Sequence, residues 1–140
     1  MRRLVNPLGI SIIGAAWVLG SAATAHADPV IDHVDVSTWA YDRVQGDTYL
    51  ADNNGGKNLT VYWKSFAGSE PVRFGCTSEV TITGFLFSDT KHDSNCDSYN
   101  PGTNLHTRLP GVYKVTVTVR QEGQPEISVD RDVTILPNLG

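Results

Sequence analysis

The residues best suited to chemistry in this chain collect in one stretch. Asp93-Ser94-Asn95-Cys96-Asp97 sets side-chain oxygens at alternate positions, the first, third and fifth places of an EF-type calcium loop, with Asp89 just upstream. Carboxylate and amide oxygens suit a hard cation, so Asp89, Asp93, Asn95 and Asp97 are the candidate metal ligands, and calcium is the one cofactor suggested. Two positions depart from a complete loop. Ser98 stands where glycine makes the sharp turn, and Asn104 where a bidentate glutamate belongs.

Other chemistries lack their spacing. His33, His92 and His106 are scattered, with no His-x-x-x-His pair for zinc. There is no Gly-x-Ser-x-Gly elbow for a nucleophilic serine, and no two acids are singled out as a glycosidase pair. The chain therefore reads as non-enzymatic. Binding is better served: His92 and Tyr99 lie in the long polar loop expected over 88–104, and Tyr62 alternates out of phase with Leu59, Val61 and Trp63. Trp39 and Tyr41 would extend such an aromatic platform, whereas Trp63 has the phase of a core residue.

The N-terminus places these residues outside the cytoplasm. Arg2 and Arg3 precede an apolar run from Leu8 to Leu19, and Ala25-His26-Ala27 fits the signal-peptidase pattern. The expectation is a signal peptide over 1–27, cleaved after Ala27, and a secreted or envelope-located domain over 28–140. The apolar run is shorter than the ~20 residues a membrane helix needs, so no stable membrane span is expected after cleavage. Loss of Arg2 and Arg3 leaves nine basic residues against fifteen acidic, a net charge of about −6. With no basic cluster, nucleic acid is a poor partner. In an exported protein the lone pair Cys76 and Cys96 reads as a disulfide, worth about 3 kcal/mol for a loop of that length.

The element that must position all of this is Pro110 to Val119. Tyr113, Val115, Val117 and Val119 alternate with Lys114, Thr116, Thr118 and Arg120, a strand with one apolar and one wet face. Similar strands are expected at Val30–Tyr41, Leu59–Phe66, Glu79–Phe87 and Glu126–Leu136. The apolar phase switches at Gly84, which predicts a bulge there, and Arg131 interrupts the apolar phase of the last strand. No segment carries a helical period. The whole predicts an all-β, two-sheet β-sandwich of about six to eight antiparallel strands.

From Leu105 onward the chain resembles PKD-type and related bacterial Ig-like domains. His106-Thr-Arg-Leu-Pro110-Gly111-Val-Tyr113-Lys-Val115-Thr-Val117-Thr-Val119 is similar to that family's His-x-Tyr-x-x-Pro-Gly-x-Tyr-x-Val-x-Leu-x-Val ending. Phe85-Leu86-Phe87-Ser88-Asp89-Thr90 falls where the family carries Trp-x-Phe-Gly-Asp-Gly. The resemblance covers the C-terminal half and implies an Ig-like sandwich. Independently of it, Tyr113 near the strand start can turn its hydroxyl back to loop backbone as a tyrosine corner. Cys76 and Cys96 stand too close in sequence to be the inter-sheet pin of antibody domains, so their bond is expected to staple a loop.

The functional expectation is a secreted, non-enzymatic module that binds a protein or glycan at the envelope through loops of the sandwich. Two alternatives use the same disulfide-bearing loop: a small-ligand carrier or enzyme inhibitor, and a calcium-dependent adhesion module. Phe85-Leu86-Phe87 and Thr90 locally resemble the apoproteins that carry enediyne chromophores, which is what brings the carrier into view.

Overall fold

The computed structural model describes residues 29–98 and 102–139, so the expected signal peptide and Tyr99 lie outside the described residues. Ten strands build two facing sheets, and no helix occurs among the described residues. In the first sheet β4 (Lys57–Ala67) is central. It pairs antiparallel with β1 (His33–Trp39) on one side, and on the other with β8 (Thr103–Thr107) at its start and β5 (Glu70–Val72) at its end. The second sheet runs β2 (Arg43–Gln45), β3 (Thr48–Leu50), β10 (Ile127–Leu136), β9 (Gly111–Gln121), β6 (Cys76–Gly84) and β7 (Phe87–Asp93). Among the described residues only β3 and β10 pair in parallel. The strand number exceeds the six to eight read from the sequence because β2 and β5 are three residues each, too short for an alternating pattern, and β7 falls where a loop was expected; Thr48–Leu50, read as a short extended piece, is β3.

The expected alternation is what closes the sandwich. Leu59, Val61 and Trp63 of β4 face Val80 and Ile82 of β6, Val115 and Val117 of β9, and Val133 and Ile135 of β10, all buried. Each such side chain contributes about 1.5–3 kcal/mol by leaving water. Trp63 reaches across the core to donate its indole N–H to Ser78 Oγ at 3.3 Å. The Tyr113 hydroxyl donates to the Leu109 carbonyl at 2.5 Å, the backward reach expected of it.

Two sequence expectations are corrected. The stretch 88–104 is not one long loop: Phe87–Asp93 is β7, paired antiparallel with β6. Its register sets Asp89, Lys91 and Asp93 opposite Ile82, Val80 and Ser78, on the inward side of an edge strand. Inward charges protect an edge from pairing with another chain, and they also erase the apolar period. Nor does Gly84 form a bulge. β6 stops there, Phe85 and Leu86 make a two-residue turn, and Leu86 takes a left-handed φ of 56°. The apolar phase switches because the chain reverses.

Gly84 serves a different need. A Cβ at this position would lie 2.5 Å from Cδ2 and Cε2 of Tyr113, whose ring rests on the glycine backbone. Phe87 packs edge-on against the same ring at 6.0 Å. Gly84→Ala should therefore displace the ring and cost about 2–3 kcal/mol, read as a lower urea midpoint with unchanged m-value.

Arg131, the odd member of β10, is explained by Asp47. Its guanidinium donates to Asp47 Oδ2 at 2.6 Å through Nη2 and 3.2 Å through Nε, while Thr38 Oγ1 donates to Asp47 Oδ1 at 2.5 Å. Burial pushes the Asp47 carboxyl up, but the hydrogen bonds from Thr38 and Arg131 outweigh it and hold the carboxyl below the ordinary aspartate value. A folded-state pKa below the unfolded one stabilises above the unfolded value, near 3.8, and that contribution fades as pH falls through the folded value. Asp47→Asn should cost about 1–2 kcal/mol at pH 7 and progressively less below pH 4, measured by urea unfolding across pH.

Candidate functional site

The two outer faces of the sandwich differ in kind. On the second sheet, hydroxyls pair across strands: Thr81 with Thr90 at 3.0 Å, Thr118 with Ser128 at 2.7 Å, and Thr116 donating to Asp130 at 2.8 Å. Lys114, Arg120 and Glu79 fill the spaces between them, and among the described residues no Phe, Tyr or Trp of β6, β7, β9 or β10 points outward from this face. The first sheet is the reverse. Tyr62 and Phe66 point outward from β4 with Thr60 and Lys64, and register places Trp39, Ser37, Asp35 and His33 of β1 beside them. His33 stacks on Phe66 at 5.1 Å, and Tyr41 meets Trp39 edge-on at 4.7 Å. Phe74, 72% exposed, continues the row beyond β5. Among the described residues Phe85, at the β6–β7 turn, is the one exposed aromatic away from this face.

A cleft of about 870 Å³ opens on that face, lined by Tyr62, Lys64, Phe66, Pro71, Arg73, Phe74, Asn95, Asp97 and Ser98, with Trp63 beneath. One wall is the segment that follows β7, and the disulfide sets its position. Cys76 opens β6 of the second sheet, and Cys96 lies fully buried. The segment itself is bonded to the first sheet. Cys96 N donates to the Arg73 carbonyl at 3.0 Å, Ser98 N to the Trp63 carbonyl at 3.0 Å, and Ser65 Oγ to the Cys96 carbonyl at 2.6 Å. Ser78 Oγ of β6 donates to the Asn95 carbonyl. The bond thus joins a strand of one sheet to a segment held by the other, within the core. It acts across the sandwich, more than the loop staple expected from its short sequence separation, because residues 94–98 turn inward.

Two of the calcium candidates each engage one carboxylate oxygen in this segment. Asp93 Oδ1 accepts from Asn95 N and Nδ2, both at 3.2 Å, and Asp97 Oδ1 accepts from Ser65 N at 3.0 Å. Asp89 sits apart on β7. No three or more His, Cys, Asp or Glu side chains gather as a metal set among the described residues. Asp93 Oδ1 and Asp97 Oδ1 thus help to shape the 93–97 segment, with Asn95 and Asp97 in the cleft wall.

Of the proposed contact residues, the structure brings Tyr62 together with the 95–98 segment, and Gly102 approaches the Tyr62 ring so closely that a Cβ there would lie 2.9 Å from it. His92 is elsewhere, on the outer face of the second sheet with Glu79 Oε2 at 3.8 Å. Asp32 immediately precedes β1, and its carboxyl is held below its ordinary value by the hydrogen bond with His33 Nδ1 at 2.5 Å and by the Gly68 amide at 2.7 Å. Phe66, Arg73 and Phe74 went unremarked in the sequence. Phe66 was legible, since it shares the outward phase of Tyr62. Arg73 and Phe74 lie between strands, where no period marks them. No family model matches this chain, and neither does any curated protein or solved structure.

Proposed function

We propose that the chain is an exported, non-enzymatic binding module of the Ig-like class that contacts a protein or glycan outside the cell or at its envelope. The observation that carries this reading is the segregation of exposed aromatics onto one outer face, where a cleft has formed beside a disulfide-anchored wall. Exposed aromatic rings lose water readily yet cost little conformational entropy on contact, so their concentration on a rigid sheet suits recognition. Strand order supports the Ig-like assignment. β1-β4-β8 opposite β10-β9-β6-β7 corresponds to the A-B-E and G-F-C-C′ arrangement of variable-type domains, with Tyr113 as corner tyrosine at the start of F. Trp63, Tyr49, Leu59 and Ile82 fill the space between the sheets, which favours a surface contact over a ligand carried inside.

The test immobilises the purified protein and captures material from envelope and culture fractions. Tyr62→Ala/Phe74→Ala should abolish capture while Thr116→Lys, on the other face, leaves it intact. Equal capture by both variants would overturn the assignment of the face.

A further inference from the structure

We infer that the cleft beside the disulfide takes an acidic polysaccharide, sugar rings stacking on Tyr62 and Phe74 and a carboxylate meeting Arg73; this rests on the binding-module reading above. Three observations converge on that ligand chemistry.

The first is the backbone. An extended peptide gains affinity chiefly by adding a strand to a free edge. β4, the floor of the cleft, has no free edge there: β1 pairs with it along one side, and β8, Ser98 and β5 follow one another along the other. The outer edge of β5 is only three residues long and carries Pro71, too short to seat an added strand, so recognition must come chiefly from side chains. The second is the surface those side chains present. Tyr62, Phe66 and Phe74 supply apolar ring faces, with hydroxyl, amide and charged groups between them. A sugar ring, with a C–H face and a hydroxyl rim, matches that alternation; an apolar groove filler does not.

The third is charge. The domain is acidic, yet the cleft is lined by two cations, Lys64 and Arg73, against the single carboxylate of Asp97. Asp97 has one oxygen committed to the Ser65 amide and the other 3.9 Å from Arg73 Nε. That loose pair leaves Arg73, 70% exposed as a side chain, accessible to an anion. A guanidinium presents its donors as a planar fork suited to a carboxylate. Lys64 lies opposite Asp35 in register, so Arg73 is the principal anion contact and Lys64 an auxiliary one.

The experiment titrates the full protein with hexamers of galacturonate, mannuronate and hyaluronan. Cellohexaose serves as the neutral sugar and hexaglutamate as the acidic peptide, and calorimetry is run at two salt concentrations. At least one uronate hexamer should bind ten-fold or more tightly than cellohexaose and hexaglutamate, with affinity falling as salt rises. Tyr62→Ala and Phe74→Ala should each weaken binding at least ten-fold, while Arg73→Gln/Lys64→Gln removes the preference for uronate over neutral sugar. All these positions are exposed, and an unchanged melting temperature confirms that the variants fold. Binding of hexaglutamate as tight as that of the uronates overturns the glycan assignment and leaves the binding module standing. Equal binding of cellohexaose, unaffected by the charge variant, overturns the acidic part. No saturable binding of any uronate hexamer overturns the inference outright, and the module reading then stands on the capture experiment, where protein captured through the same face would sustain it.

Discussion

Cys76→Ala/Cys96→Ala lowers the unfolding free energy by about 3–5 kcal/mol, a large share of what a domain of this size has. The entropic part, for a loop closed at a separation of 20 residues, is about 3 kcal/mol. The remainder comes from the packing lost when buried sulfurs are removed, Cys96 being wholly inaccessible. The effect is not confined to a surface loop, because the 95–98 segment bonds to both sheets: Asn95 to Ser78 on one side, Cys96 and Ser98 to Arg73, Ser65 and Trp63 on the other. Chemical denaturation with and without reductant gives the magnitude. Hydrogen exchange locates it, and the Trp63 and Ser65 amides should lose protection together, since both donate to this segment. Protection lost only within 94–98 would reduce the bond to a local staple.

Asp42→Asn/Asp52→Asn is expected to cost about 3–5 kcal/mol through an ammonium stranded in the protein interior. Lys57 opens β4 on its inward phase, and its side chain is only 1% exposed. Its Nζ donates to Asp52 Oδ1 at 2.7 Å, with Asp42 Oδ2 at 3.6 Å, both carboxylates reaching in from solvent. The two single variants should each cost less than half of the double, because either carboxylate remains to face the charge. Lys57→Met supplies the contrast. It removes the cation and keeps the volume, and the exposed carboxylates simply hydrate, so stability should change by less than about 1 kcal/mol. A Lys57→Met loss as large as that of the double aspartate variant would show that the ion pairs themselves, and not the isolated charge, govern the effect. The triad closes the 51–57 turn, together with the Asp52 amide donating to the Gly56 carbonyl at 2.7 Å.

Much of the scaffold was legible in the chain. β4, β9 and β10 are long strands with one face buried, and the sequence marks them because period-2 alternation is the direct image of a half-buried strand. Tyr113 was legible for a similar reason: a tyrosine two residues into a strand, just after Pro-Gly, has one nearby backbone to reach. β7 was hidden because edge protection places charge where alternation would need apolar residues. The candidate site was legible in fragments, Tyr62 by its phase and the 93–97 segment by its density of polar side chains. Their meeting was not, since it depends on Ser98 bonding to Trp63 across 35 residues.

By itself the sequence determined the class of the molecule, two layers of antiparallel strands meeting through Leu59, Val61, Trp63, Val115 and Val117. Side-chain alternation follows from the geometry of an extended chain alone. Tertiary structure decided what the remaining residues are for. It turned the disulfide from a loop closure into a bond across the sandwich, set Asp97 against the Ser65 amide, and gathered a scatter of aromatics onto one face. Each of these depends on which distant backbone group a side chain meets, and register between strands far apart in the chain, unlike period within one, is fixed only when the sheets pack.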